Sequence, residues 1–275
     1  MKRISILLLG IIFLLFLQSC RKNISIDLNP NVNVSNDVII SISSYTTVFN
    51  LLIKARLDTS LAKYGLTLID SAYVTYDSLK MEYYFNFCSK KSPDSVRRNG
   101  RIAVLVSGDI LQEGSYATVF FQSYCEDNGM VEGIDSIANE GVNVFGQLVF
   151  SDNITHGSSV KDCGGGTIRV NMTCKYKTPA SLLVPGNDIL FLAEGTISGL
   201  SSKGHTFSAS IHDTLKDSFS CPWIKAGTID VHIPEAEIPD GYIDFVAGDG
   251  CSDVIWYYYN TSEFKVWKNQ FYLKN

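Results

Sequence analysis

The sequence predicts a mainly β fold: an antiparallel sheet of hairpins and meanders, sandwich-like or elongated and curved, with one N-terminal helix. Three observations lead there. After Gly65 apolar and polar residues alternate with a period of two, most clearly in residues 167–176, where Ile168, Val170, Met172, Cys174 and Tyr176 share one face. Turn-forming clusters such as Ser92-Pro93-Asp94, Glu126-Asp127-Asn128-Gly129, Pro185-Gly186-Asn187 and Pro239-Asp240-Gly241 separate these runs, as antiparallel hairpins require. Strand and helix patterns do not alternate, which argues against a parallel sheet with a cofactor crevice.

The elements follow in chain order. Lys2 and Arg3 precede an apolar run over residues 4–17, short for a permanent span, so residues 1–19 read as a signal peptide. That run ends in Leu17-Gln18-Ser19-Cys20, which resembles the lipobox of bacterial lipoproteins. The resemblance implies cleavage before Cys20, lipidation of that cysteine and an anchored rather than spanning chain. Residues 20–36, rich in Asn and Ser and containing Pro30, read as a flexible tether with little structure. Residues 37–65 read as an amphipathic helix, because Ile39, Ile42, Phe49, Ile53, Leu57 and Leu61 recur at mostly three-to-four spacing before Gly65. Its β-branched residues near the start would also suit a strand. Residues 66–275 form the β domain, with strands expected at 81–87, 142–150, 167–176, 207–211 and 228–233. In 142–150 the pattern puts Val142, Val144, Leu148 and Phe150 on one side.

Composition sets the outer bounds. With 45% hydrophobic and 12% aromatic residues the chain can build a substantial core. Its formal charge of −5 becomes −7 once residues 1–19 leave, since they carry Lys2 and Arg3 and no acid. That acidity argues against nucleic acid as a partner. Six cysteines lie beyond Cys20, an even number suited to disulfides in an exported chain, and none sits at metal-ligand spacing from another Cys or His. A disulfide between Cys221 and Cys251 is expected. If residues 223–233 and 241–246 pair about a turn near Glu237, the position opposite Cys221 falls near Asp253, within the error of the loop.

Four segments carry a wider resemblance: RRNGRIAVLVSGD at 97–109, MVEGIDSIANEG at 130–141, SCPWIKAGTIDV at 220–231 and GYIDFVAGDGCSD at 241–253. They resemble uncharacterised β-rich lipoproteins of the Bacteroidota over roughly residues 80–260. The likeness implies architecture and anchoring, and it brings no catalytic residue with it.

Chemistry-bearing motifs are sparse. Gly164-Gly165-Gly166 leads into Thr167 without the Lys or helix that a phosphate cradle uses. His156, His205, His212 and His232 stand apart, and no GxSxG occurs. Carboxylate pairs such as Glu194 with Asp213, or Asp244 with Asp249, can be assembled on paper, but spacing along the chain does not give separation in space. Residues 249–253 lack the ligand set of a calcium loop. Ser71, Ser78, Ser95, Ser136 and Thr214 each follow an Asp and precede an apolar residue, a pattern similar to the O-glycosylation acceptor of Bacteroides-type exported proteins and equally typical of turns.

These readings lead to a lipid-anchored envelope protein of the outer membrane with a non-enzymatic structural or binding role, needing neither cofactor nor metal. Arg21-Lys22 after the lipidated cysteine favours the periplasmic side, with surface exposure as the alternative. A glycan-binding or adhesin module is the runner-up, with Tyr257, Tyr259 and Trp267 as ligand-facing rings unless the final hairpin lies in the core. An envelope protein would be the other kind of partner. A hydrolase with an unmotifed carboxylate pair is third.

Overall fold

The computed structural model describes residues 30–267 apart from 128, 162–165, 187, 236–237, 246–250 and 260–261. Residues 1–19, read above as a signal peptide, and Cys20 lie outside the described residues, as do Gly164 and Gly165. The chain opens with α1 (Pro30–Leu57) and α2 (Thr59–Tyr64). Strands follow as β1 (Leu66–Ile69), β2 (Ala72–Asp77), β3 (Glu82–Lys91), β4 (Arg97–Val106), β5 (Tyr116–Glu126), β6 (Gly129–Val142), β7 (Gln147–Lys161) and β8 (Gly166–Pro179). After a short 3-10 turn come β9 (Leu190–Leu200), β10 (Thr206–Ile211), β11 (Leu215–Ser218), β12 (Cys221–Ala226), β13 (Thr228–His232), β14 (Gly241–Asp244), β15 (Val254–Tyr259) and β16 (Ser262–Trp267).

All sixteen strands belong to one antiparallel sheet that runs in chain order, except that β13 pairs with β10 and the β11–β12 hairpin branches from β9. The sheet is curved and wraps α1, which touches β1, β6, β8 and β15. The alternation explains why. Ile168, Val170, Met172, Cys174 and Tyr176 are all buried, and they can be so only against a second apolar layer, which the helix supplies. Nineteen of the twenty-eight residues of α1 are buried, although by length and composition the same helix could cross a bilayer. Phe49 lies at the centre, stacked on Tyr176 at 4.0 Å and edge-on to Phe150 and Phe191 at 5.3 and 4.9 Å.

Three expectations need correction. The helix begins at Pro30, not near Asp37, so residues 30–36 are helical rather than tether; Pro suits the first helical position, where its missing N–H costs nothing. The helical stretch is also broken near Asp58, whose side chain accepts from the Leu61 N–H and caps α2, while Gly65 closes α2 at φ 70°. Residues 142–150 are not one strand. Asn143 accepts from the Phe145 and Gln147 N–H groups at 3.0 Å each and Gly146 takes φ 74°, so the chain turns and leaves Val144 almost fully exposed while Leu148 and Phe150 are buried.

Contacts fix the direction of α1 within the sheet. At its N-terminal end Asp37 accepts from the Ser202 N–H at 2.6 Å, and Tyr259 donates to the Asn31 carbonyl at 2.7 Å. At its C-terminal end Arg56 is held by Asp109, in the connection between β4 and β5. The helix therefore enters at the rim of the β9–β10 and β15–β16 turns. It ends at the opposite rim, that of the β2–β3, β4–β5, β6–β7 and β8–β9 connections.

Cys221 and Cys251 are joined in a disulfide with Cα atoms 5.4 Å apart. Thr228 pairs with Asp244, and the Phe245 N–H donates to the Gly227 carbonyl. The intervening chain is not a single strand as expected, because it bends at Gly227 (φ 115°) and β12 pairs with β11.

Candidate functional site

One stripe of α1 is less buried than the rest. Asn36, Ser43, Thr47, Asn50 and Lys54 recur at intervals of seven, four, three and four, which places them on a single helical face. From Ser43 to Lys54 this stripe floors a groove of about 260 Å³, near the lower end of the ~300–1,000 Å³ usual for small-molecule sites. One wall comes from the end of β3 and the β3–β4 turn, with Phe87, Pro93 and Val96. The other comes from β11, β12 and Phe245, with Phe219, Trp223 and Ile224. At Lys54, Asp70 and Phe219 the groove meets a second, more open recess lined by Leu57, Leu68 and Val184.

The charges of the groove are mutually satisfied. Arg98 is buried and bonds Asp94 through both terminal nitrogens at 2.9 and 2.5 Å, while its Nε donates to Glu126 at 3.1 Å. Burial opposes its charge, but Tyr124, Glu126 and Asp94 outweigh that and hold it fully protonated. Ser44 of α1 donates to the far oxygen of Glu126 at 2.5 Å, tying the helix to this cluster. Lys54 bridges to Asp70 with its ammonium over the Phe219 ring. Asn50 donates to Asp217 at 2.6 Å. Apolar walls, a floor of hydroxyl and amide groups and paired charges make a receptor for a ligand with one apolar and one hydrogen-bonding side.

Among the described lining residues there is no histidine; Ser92 donates to the Asp70 carbonyl and Ser220 to the Asp188 carboxylate. His212 and His232 lie exposed on the outer face, held by Asp230 and Asp240. Glu194 pairs with Lys177, and Asp213 accepts from Thr228, both outside the groove.

A second cluster escaped the sequence reading. Asp135 on β6 and Asp152 on β7 point inward beneath α1 and are wholly buried. Their carboxyl groups are near enough to share a proton, and three of the four oxygens have no other partner among the described residues. Tyr176 donates to the fourth at 3.2 Å and is itself 3.4 Å from the Thr46 hydroxyl of α1. Burial, with Asp152 adding to it, holds Asp135 well above the carboxylate range, and burial lifts Asp152 to about 6. Neither acid lines the groove.

In the final hairpin the rings divide between the two faces of the sheet. Tyr257 and Tyr259 face the helix, not a ligand: Tyr257 donates to Asn36 Oδ1 at 2.8 Å and both rings are buried. Burial raises the Tyr259 hydroxyl to about 12. Trp267 pairs in register with Val254, and its side chain is outside the described set. Tyr242 and Tyr258 are the outward rings, and they stack on each other at 4.6 Å and 14°. Of the hydroxyls in the glycosylation-like pattern, Ser78, Ser95 and Ser136 are exposed, while Ser71 and Thr214 are half-buried. Comparison with protein-family models, curated proteins and solved structures found no match.

Proposed function

We propose that this chain is a lipid-anchored envelope lipoprotein, akin to the β-rich lipoproteins of the Bacteroidota, which binds a small amphipathic molecule in the groove above α1 and does no chemistry on it. The observation that carries this reading is the stripe of Ser43, Thr47, Asn50 and Lys54 between apolar walls. Thr47 donates to the Ser43 carbonyl, Asn50 to Asp217 and Lys54 to Asp70, but the buried Asn50 Oδ1 has no hydrogen-bond partner among the described residues, and a ligand with a hydrogen-bond donor gives it one. Lys54 and Arg98 are already neutralised by carboxylates, so an anion would find no spare cation and the ligand is uncharged or cationic. The glycan reading draws less support, because Tyr242 and Tyr258 cover part of each other's faces.

Native mass spectrometry of protein taken from its own membranes tests the binding. A non-covalent small molecule should accompany the wild type and be lost in Thr47→Leu and Trp223→Ala variants that still fold. Wild-type protein that carries nothing, or variants that retain the ligand, would refute the groove as the site. The anchor is tested separately: Cys20→Ala should abolish lipid labelling and membrane retention.

A further inference from the structure

We propose that the Asp135–Asp152 pair regulates the groove: protonated, it seats the middle of α1 and keeps the groove formed, and ionised, it unseats α1 and weakens what the groove holds. The inference rests on the groove reading above and adds its control. The two acids are diagonal neighbours, because Asp135 pairs with Ile154 on β7 and Asp152 with Ile137 on β6. Both are buried, yet both oxygens of Asp135 and the Oδ1 of Asp152 have no other hydrogen-bond partner among the described residues. An acid that served the fold alone would be paired with a cation or saturated by donors. Here the titratable neighbours are Tyr45 of α1 and Cys174 and Tyr176 of β8, and no lysine or arginine among the described residues acts on the pair. The adjoining strands add no charge, since β5 places Val119 opposite Asp135 and β9 places Ala193 and Gly195 opposite Tyr176 and Cys174.

A chain of hydroxyls joins the pair to the groove. Tyr176 commits its proton to Asp152 at 3.2 Å, so the Thr46 hydroxyl, 3.4 Å away, is the donor to Tyr176. Thr46 lines the groove and lies within one turn of Ser43 and Thr47 on its floor. The Tyr176 ring also carries Phe49, stacked at 4.0 Å. Loss of a proton leaves a carboxylate in a dry site, where it is costly unless water reaches it. Water can enter past Thr46, where the cluster borders the groove, and there it displaces the turn of α1 that holds Thr46 and Phe49. The sign follows from burial, which lifts Asp152 to about 6 and Asp135 well above its ordinary range. The seated helix is therefore favoured at low pH and loses ground as pH rises through about 6. One proton released on unseating weakens binding by up to about tenfold per pH unit, and by reciprocity a bound molecule tightens the pair's hold on its proton.

Two measurements on the full chain read helix and groove separately. Amide hydrogen exchange of residues 43–49, corrected for the intrinsic effect of pH, should quicken at least tenfold between pH 5 and pH 8. Native mass spectrometry after dialysis at the same two pH values should show the ratio of protein carrying its co-purified adduct to empty protein falling at least tenfold. Asp152→Asn should flatten both responses. Tyr176→Phe removes a donor that steadies the Asp152 anion, so it should move the midpoint of the exchange response upward, which a general loss of stability would not do. Exchange that is indifferent to pH overturns the proposal, as does a response that persists in Asp152→Asn or keeps its midpoint in Tyr176→Phe. An adduct retained equally at both pH values refutes the regulation alone, whereas no adduct at either pH refutes the groove reading and the regulation with it.

Discussion

Asp135 and Asp152 bring two carboxyl groups together inside the fold with one tyrosine hydroxyl between them and the helix. No lysine or arginine is among the groups that raise their pKa or bond them; the neighbours are Tyr45, Tyr176 and Cys174. A pair so placed stays buried by keeping its protons. Because its folded pKa values are raised, the stability it supports is fully present below the unfolded Asp value of ~3.9. That stability is lost as pH rises through about 6 for Asp152 and higher for Asp135. Asp152→Asn, which cannot ionise, should therefore melt close to the wild type at pH 4 and be more stable than it at pH 8, by on the order of 2 kcal/mol. Equal destabilisation at both pH values would show that the pair is not protonation-linked.

The hydroxyl of Tyr257 ties β15 to Asn36 in α1. Removing it in Tyr257→Phe leaves the helix amide without its donor and should cost about 1–2 kcal/mol in urea unfolding. Tyr257→Ala, which also opens a cavity in the core, should cost about 3–5 kcal/mol. A Tyr257→Ala protein as stable as the wild type would place the ring outside the core.

Reduction of the Cys221–Cys251 bridge frees a segment of thirty residues and should lower stability by roughly 3–4 kcal/mol in the chain-entropy description. Cys221 also sits in the groove wall, so the double Cys→Ser variant should bind ligand more weakly under conditions where it remains folded. Peptide mapping of unreduced protein that joins either cysteine to a different one would contradict the pairing.

Gly157→Ala should be costly far from any turn. A methyl there would sit 2.6 Å from the Tyr45 hydroxyl and 2.9 Å from Val170, where α1 is bolted to the sheet by the Tyr45 bond to the Glu132 carbonyl. Overpacking of that kind costs about 1–3 kcal/mol, and Tyr45→Phe in the same background should recover part of it by removing the clashing oxygen.

Much of the fold was legible because one face of each strand is apolar. Residues 167–176 show it best, and the turn clusters marked where the hairpins close. The buried acids were missed because Asp135-Ser136-Ile137 looks like turn chemistry and an acid is expected to face water. A usable signal was present: Leu148, Phe150, Asp152 and Ile154 run on one phase, so an acid there sits on the apolar face. Residues 254–259 defeated phase assignment for the opposite reason, since both faces are apolar. What decides it is the reach of Tyr257 and Tyr259 to Asn36 and Asn31, more than two hundred residues earlier. The groove was illegible as well, because Ser43, Thr47 and Asn50 read as the wet side of an amphipathic helix until the sheet closes around them.

The position of α1 imposes an order on folding. Most hairpins of the sheet join neighbours in the chain and can zip as local events, but the contacts that clasp the helix to β15 span 221 and 228 residues. The helix leaves the ribosome first and receives its last covering strands at the end of synthesis. Until then a 28-residue apolar segment, long enough to be mistaken for a membrane span, has no finished trough to lie in. A chain built this way can complete its core only once β15 exists, so the docking of helix and sheet is expected to come after the making of either.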